Sequence, residues 1–115
     1  MANTKILSPT HIVEIAVRMV EAGDSQDLSL RAIAGELGVK APSLYRYFAQ
    51  KEALELAVAE HVSGMIVAEL QRTANVSDPT DRFLATADAY LRFVRSHFSL
   101  YSFLMGRLLL PTALL

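Results

Sequence analysis

Cysteine is absent from the 115 residues, so the chain has no disulfide framework, no thiolate nucleophile and no zinc ribbon, and only His11, His61 and His97 offer imidazoles. Glycine (5) and proline (4) are scarce beside 52% hydrophobic residues, which excludes a collagen-like or disordered chain and leaves a globular one. Neither sign of charge dominates, with 11 Lys and Arg against 12 Asp and Glu, so any basic surface must be local. Long apolar runs are missing too. The most apolar stretch, residues 98–115, is interrupted by Arg107 and Pro111, and neither half approaches the roughly 20 residues that span a bilayer. The opening MANTKILSPTHI is too mixed for a secretory signal, and cytoplasmic residence is the simplest expectation. No Gly-rich phosphate loop and no grouping of Ser, His and acid stands out, which argues against an enzyme and implies no cofactor or bound metal.

What is present is apolar spacing of helical period: Ile12, Ile15, Ala16, Met19, Val20; then Leu30, Ile33, Ala34, Leu37; then Leu54, Val58, His61, Met65. Strand signals are lacking, so the fold class is all-α. Local punctuation predicts about six helices. Ser8 before Pro9 opens the first, which runs to about Ala22 at the Gly23-Asp24-Ser25 stop. Ser29 caps a short second helix that Gly38 ends after Leu37. Pro42 opens a third that closes near Phe48. A fourth spans about Lys51 to Thr73, Pro79 opens a fifth to about Ser96, and a sixth starts at Phe98 and breaks at Pro111.

The informative stretch is SLRAIAGELGVKAPSLYRYFAQKEAL, Ser29 to Leu54, in which two very short helices meet at a Gly-containing turn. That is the pattern of a helix-turn-helix. Ile33, Ala34, Leu37, Val39, Leu44 and Phe48 are spaced to pack the pair together, leaving Lys40, Ala41, Ser43, Arg46 and Tyr47 facing out. Small residues at the front of the second helix allow close approach to base edges, and longer ones behind reach phosphates. Leu37 to Lys51 contains Lys40, Arg46 and Lys51 with no acidic residue, a focused patch suited to a phosphate backbone, and Tyr45 and Tyr47 add hydroxyl donors. The same residues have plainer readings: Tyr45 as a core aromatic, Arg46 and Lys51 as solvated charges, Arg31 as the ion-pair partner of Glu36 or Asp27.

Ile33-Ala34, Leu37-Gly38-Val39, Leu44-Tyr45-Arg46-Tyr47-Phe48 and Lys51-Glu52-Ala53-Leu54 together resemble the DNA-binding domain of TetR-family transcriptional regulators. The resemblance covers about Ser8 to Val62; HFSLYSFLMGR, residues 97–107, is similar to the junction of helices 5 and 6 in some members. It implies an N-terminal three-helix helix-turn-helix head in residues 1–50, followed in residues 51–115 by the start of a helical effector-binding and dimerisation body. Carried over by position, it implies base contacts at Arg31, Lys40, Ala41, Pro42, Ser43 and Tyr45, and phosphate contacts at Ser29, Arg46, Tyr47 and Lys51. Two departures stand out. Lys40 and Ala41 replace small polar residues, and Gln50 stands where a better N-cap residue is usual.

Later helices carry His61, Met65, Phe83, Tyr90, Phe93, Phe98, Tyr101 and Phe103 at helical spacing, with Met105 nearby. They read as ordinary core or, by the resemblance, as the lining of an apolar effector pocket. His61, on the inner face of the fourth helix, and His97 read as satisfied polar groups. Family members usually continue through further helices, so the body is expected to be incomplete, with Leu108, Leu109, Leu110, Leu114 and Leu115 in need of cover. The implied function is a homodimeric, sequence-specific DNA-binding repressor that sits on a palindromic operator and is released by a small apolar or amphipathic effector. A helical interaction or assembly module reusing the fold is the alternative.

Overall fold

Two serines and a glycine set the frame of the first half. The Ser8 hydroxyl accepts the His11 N–H at 3.2 Å and starts α1, Pro9–Glu21, with proline at the first turn, where a missing N–H costs nothing. Ser29 does the same for the Ala32 N–H at 3.0 Å and starts α2, Leu30–Leu37. Gly38 ends α2 at φ 72° and ψ 27°, a left-handed conformation that glycine adopts without steric cost, and its N–H returns to the carbonyls of Ala34 and Gly35. This is a computed structural model that describes residues 7–23 and 28–114, with side chains through residue 108. The expected stop at Asp24 and Ser25 therefore lies outside the described residues, as do the side chains of Leu109, Leu110, Leu114 and Leu115.

The third element, α3, is Pro42–Tyr45, shorter than the expected run to Phe48. Winding nonetheless continues on both sides of it. Ser43 and Leu44 donate to the carbonyls of Lys40 and Ala41 at 2.9 Å, and Tyr47 and Phe48 both donate to Leu44, at 2.9 and 3.0 Å. Most of these bonds have three-residue spacing, so the segment is a tight coil whose regular α-helical part is four residues long. After it come α4, Lys51–Gln71, α5, Pro79–Ser96, and α6, Phe98–Leu114. The Asp78 carboxylate caps α5 by accepting the Asp81 N–H at 3.0 Å. α6 does not break at Pro111 as expected: it runs on to Leu114, and Pro111 simply has no N–H to donate to the ladder. Among the described residues there are six helices and no strand. None of the helices is long and apolar enough to cross a membrane.

The chain divides into two units, Met1–Val58 and Ala59–Leu115. In the first, α1 packs on α2 and α2 on α3. Its core is Ile12, Ile15, Ala16, Val17 and Val20 of α1, Leu28, Leu30, Ile33 and Ala34 around α2, and Leu44, Phe48, Leu54 and Val58. Leu37 and Val39, flanking Gly38, are half-buried. In the second, α5 packs on α6, and the core is Ala59, Val62, Ile66, Ala89, Phe93, Leu100 and Leu104.

Candidate nucleic-acid interface

A four-residue helix has no stability of its own, so α3 is held by the Leu44 side chain, fully buried, and by Phe48 behind it. With Leu44 pointing inward, the neighbouring positions turn outward. Lys40, Pro42, Tyr45 and Arg46 are exposed and Ala41, Ser43 and Tyr47 are half-buried. Tyr45 is 49% exposed, which removes the core reading for that ring. Arg31, in the first turn of α2, is exposed and makes no ion pair with Glu36; its other candidate partner, Asp27, lies outside the described residues. Lys51 is exposed at the start of α4 and reaches Glu55 at 4.0 Å, a helix-surface pair too long and too wet to immobilise it.

Two of the expected DNA-facing hydroxyls are already engaged. Ser29 accepts the Ala32 N–H, so its oxygen is part of the α2 cap while its proton stays available. Tyr47 donates its single proton to the Leu7 carbonyl at 3.1 Å, which leaves no hydroxyl proton for a phosphate. The Tyr47 ring meanwhile carries the Arg46 guanidinium, whose central carbon lies 5.7 Å from the ring centroid. Sequence spacing offers no sign of the Leu7 contact, which joins positions 40 residues apart.

In the second unit the expected pocket residues fall into two sets. Phe93 is buried, and Met65, Tyr90, Tyr101 and Phe103 are half-buried. Tyr90 and Tyr101 join α5 to α6 through hydroxyls 2.7 Å apart and rings in an edge contact at 5.9 Å. The hydrogen bond to Tyr101, with burial and the proximity of a second phenol, holds the Tyr90 hydroxyl above the usual phenol range. Phe83 and Phe98, by contrast, are 72% and 64% exposed. Phe98 precedes buried Leu100 by two positions, about 200° round the helix, which puts it on the opposite face. His61 is also exposed rather than on the inner face: it stands one position, about 100°, from buried Val62. His97 stacks on Phe93 at 4.8 Å between ring centroids, and His11 lies 3.6 Å from Glu14. Among the described residues no three His, Cys, Asp or Glu side chains gather where a metal would need them. Thr73 and Thr86, with hydroxyls 2.6 Å apart, are a further link between the α4–α5 turn and α5 that helical spacing does not reveal.

Residues 12–58 match the family described as bacterial regulatory proteins, tetR family. An uncharacterized HTH-type transcriptional regulator of Mycobacterium tuberculosis, found in two strains, is 30% identical over 92 residues, which is 79% of this chain and 46% of that protein. A second such regulator from the same organism is 33% identical over 96 residues, 84% of this chain and 44% of that protein. The chain therefore spans less than half the length of these curated relatives. No solved structure matches it.

Proposed function

We propose that the chain, whose residues 12–58 match the family described as bacterial regulatory proteins, tetR family, is a sequence-specific DNA-binding regulator that acts as a repressor. The observation that carries this reading is the short α3 held by buried Leu44, with Lys40, Pro42, Tyr45 and Arg46 exposed beside it in a stretch without acidic residues. Such an element enters a major groove with small residues leading, while cations at its rear neutralise phosphates. Arg31, Lys40, Ala41, Pro42, Ser43 and Tyr45 face the bases in this reading. Ser29, Arg46 and Lys51 face the backbone. Two copies on a palindrome place their α3 segments one DNA turn or a multiple apart, roughly 34 to 36 Å per turn. The role requires residence with the DNA, in keeping with the cytoplasmic address expected from the sequence.

Selection of bound sequences from a random duplex pool tests the reading: a symmetric motif supports a dimeric reader, and enrichment of nothing rejects DNA recognition in favour of a helical interaction module. Arg46→Ala and Lys51→Ala, both at exposed cations, are expected to weaken binding to all duplexes about equally. Each should also lower the slope of log affinity against log salt by about 0.9 per protomer, the value for one phosphate no longer neutralised. Unchanged slopes in both variants reject the phosphate assignment.

The second unit is proposed as the effector-binding and dimerising part. Met65, Tyr90, Tyr101 and Phe103 are partly covered, and the Tyr90 and Tyr101 hydroxyls meet between α5 and α6, which offers apolar surface with phenol hydroxyls suited to a small apolar or amphipathic molecule. Release follows if that molecule binds the DNA-incompetent state more tightly, since only differential affinity shifts the equilibrium. A compound that raises the melting temperature in a thermal-shift screen should then lower operator affinity. Equal affinity with and without a saturating amount rejects effector release and leaves the DNA-binding reading intact.

A further inference from the structure

Tyr47 is held at both ends. Its backbone N–H donates to the Leu44 carbonyl at 2.9 Å within the α3 coil, and its hydroxyl donates to the Leu7 carbonyl at 3.1 Å, one residue ahead of the Ser8 cap of α1. The half-buried ring lies between these two bonds, and the Arg46 guanidinium sits over it with its central carbon 5.7 Å from the centroid. Attraction to a ring face holds the cation while leaving guanidinium N–H donors available to a further partner. Arg46 is itself exposed and in no ion pair among the described residues, so no carboxylate competes for it.

We propose that Tyr47 is a positioning residue for Arg46, an aromatic platform tied down through Leu7 that orders the guanidinium before a DNA phosphate arrives. The inference rests on the DNA-binding reading and changes the part Tyr47 plays in it. A phenol has one proton, and here that proton is given to a backbone carbonyl rather than to a phosphate. What the hydroxyl does instead is stop the ring from swinging, and a cation on a fixed ring is restricted with it. An exposed arginine loses rotamer freedom when it docks, so a side chain already ordered binds at lower entropic cost. Removing the hydroxyl alone therefore weakens the Arg46 contact although the charge and the ring both remain.

A double-mutant cycle separates this role from a direct contact, because a residue that acts through Arg46 has nothing to contribute once Arg46 is gone. The full chain is titrated with its selected duplex as wild type, Tyr47→Phe, Arg46→Ala and the double variant, with thermal melting as the check on folding. Tyr47→Phe is expected to lower affinity roughly 2- to 10-fold, the range for ordering one long side chain, and to cause no further loss in the Arg46→Ala background. An equal loss in both backgrounds overturns the proposal, since that is the mark of a hydroxyl bonded to phosphate or of a general softening of the head. No loss in either background overturns it as well. If Tyr47→Phe melts below the assay temperature, nitrogen-15 relaxation of the free wild type decides the matter. The Arg46 Nε should be more ordered than that of Arg31, which is exposed and in no ion pair among the described residues, and equal mobility of the two overturns the platform. Failure of the wild type to select any duplex is a different result, which removes the DNA-binding reading itself.

Discussion

Leu44→Ala should strongly destabilise the helix-turn-helix head, with an expected loss of about 2 to 5 kcal/mol. The side chain is fully buried, and the α3 helix that contains it is only four residues long. So short a helix has no intrinsic stability and keeps its place through this one apolar anchor, the flanking Phe48 and the tight bonds from Tyr47 and Phe48 to the Leu44 carbonyl. Truncation removes the transfer free energy of the deleted methyls and leaves a cavity in the core that the short coil is poorly placed to fill. A domain of this size is stable by roughly 5 to 15 kcal/mol in all, so the loss is a large share of the total. Urea unfolding followed by circular dichroism measures it. Tyr45→Ala is the control: 49% exposed and one position away, it should shift the midpoint little while still altering DNA binding. A Leu44→Ala midpoint equal to that of the wild type would mean that α3 is held by something other than this core.

The features legible in the sequence are those whose physics is local. Ser8, Ser29 and Gly38 act within three or four residues of themselves, and each caps the helix end that spacing assigns to it. The helix-turn-helix follows from the same signals. Local chemistry fails wherever a face has to be centred or a distant partner found. The period through Leu54, Val58, His61 and Met65 is helical, yet the buried stripe of α4 runs through Leu54, Val58, Val62 and Ile66, and a shift of one residue brings His61 to the surface. Phe83 and Phe98 depart from the expected interior for the same reason, since an aromatic at helical spacing says which residues share a face and not which face meets the core. Nothing in the spacing of Leu7 and Tyr47 encodes their hydrogen bond, which joins positions 40 residues apart and depends on the packing of α1 on α2 and of α2 on α3. The Tyr90 and Tyr101 pair shows an intermediate case: both rings stand out as candidates for the interior, but the hydroxyl contact between them requires the packing of α5 on α6.

In the proposed DNA-binding role, base readout rests most heavily on Arg31 and Lys40, and their alanine variants are expected to lose discrimination at particular base pairs by about 1 to 3 kcal/mol each, roughly 5- to 150-fold. Both side chains are exposed, and among the described residues neither is engaged in an ion pair or hydrogen bond, so neither has an interaction within the chain to give up on docking. They come from opposite sides of the Gly38 turn, Arg31 at the front of α2 and Lys40 just ahead of α3. Arg31 carries the larger expectation, because a guanidinium reaches guanine with two parallel hydrogen bonds where an ammonium makes a point contact. The signature differs in kind from that of Arg46→Ala. Removing a phosphate contact lowers affinity for every duplex and flattens the salt dependence, whereas removing a base contact flattens one column of the selected motif and leaves the others sharp. Selection from a random duplex pool, run in parallel for the wild type and the two variants, reads this directly. Identical motifs from all three would assign recognition to other residues or to DNA shape, with Arg31 and Lys40 reduced to general electrostatic attraction.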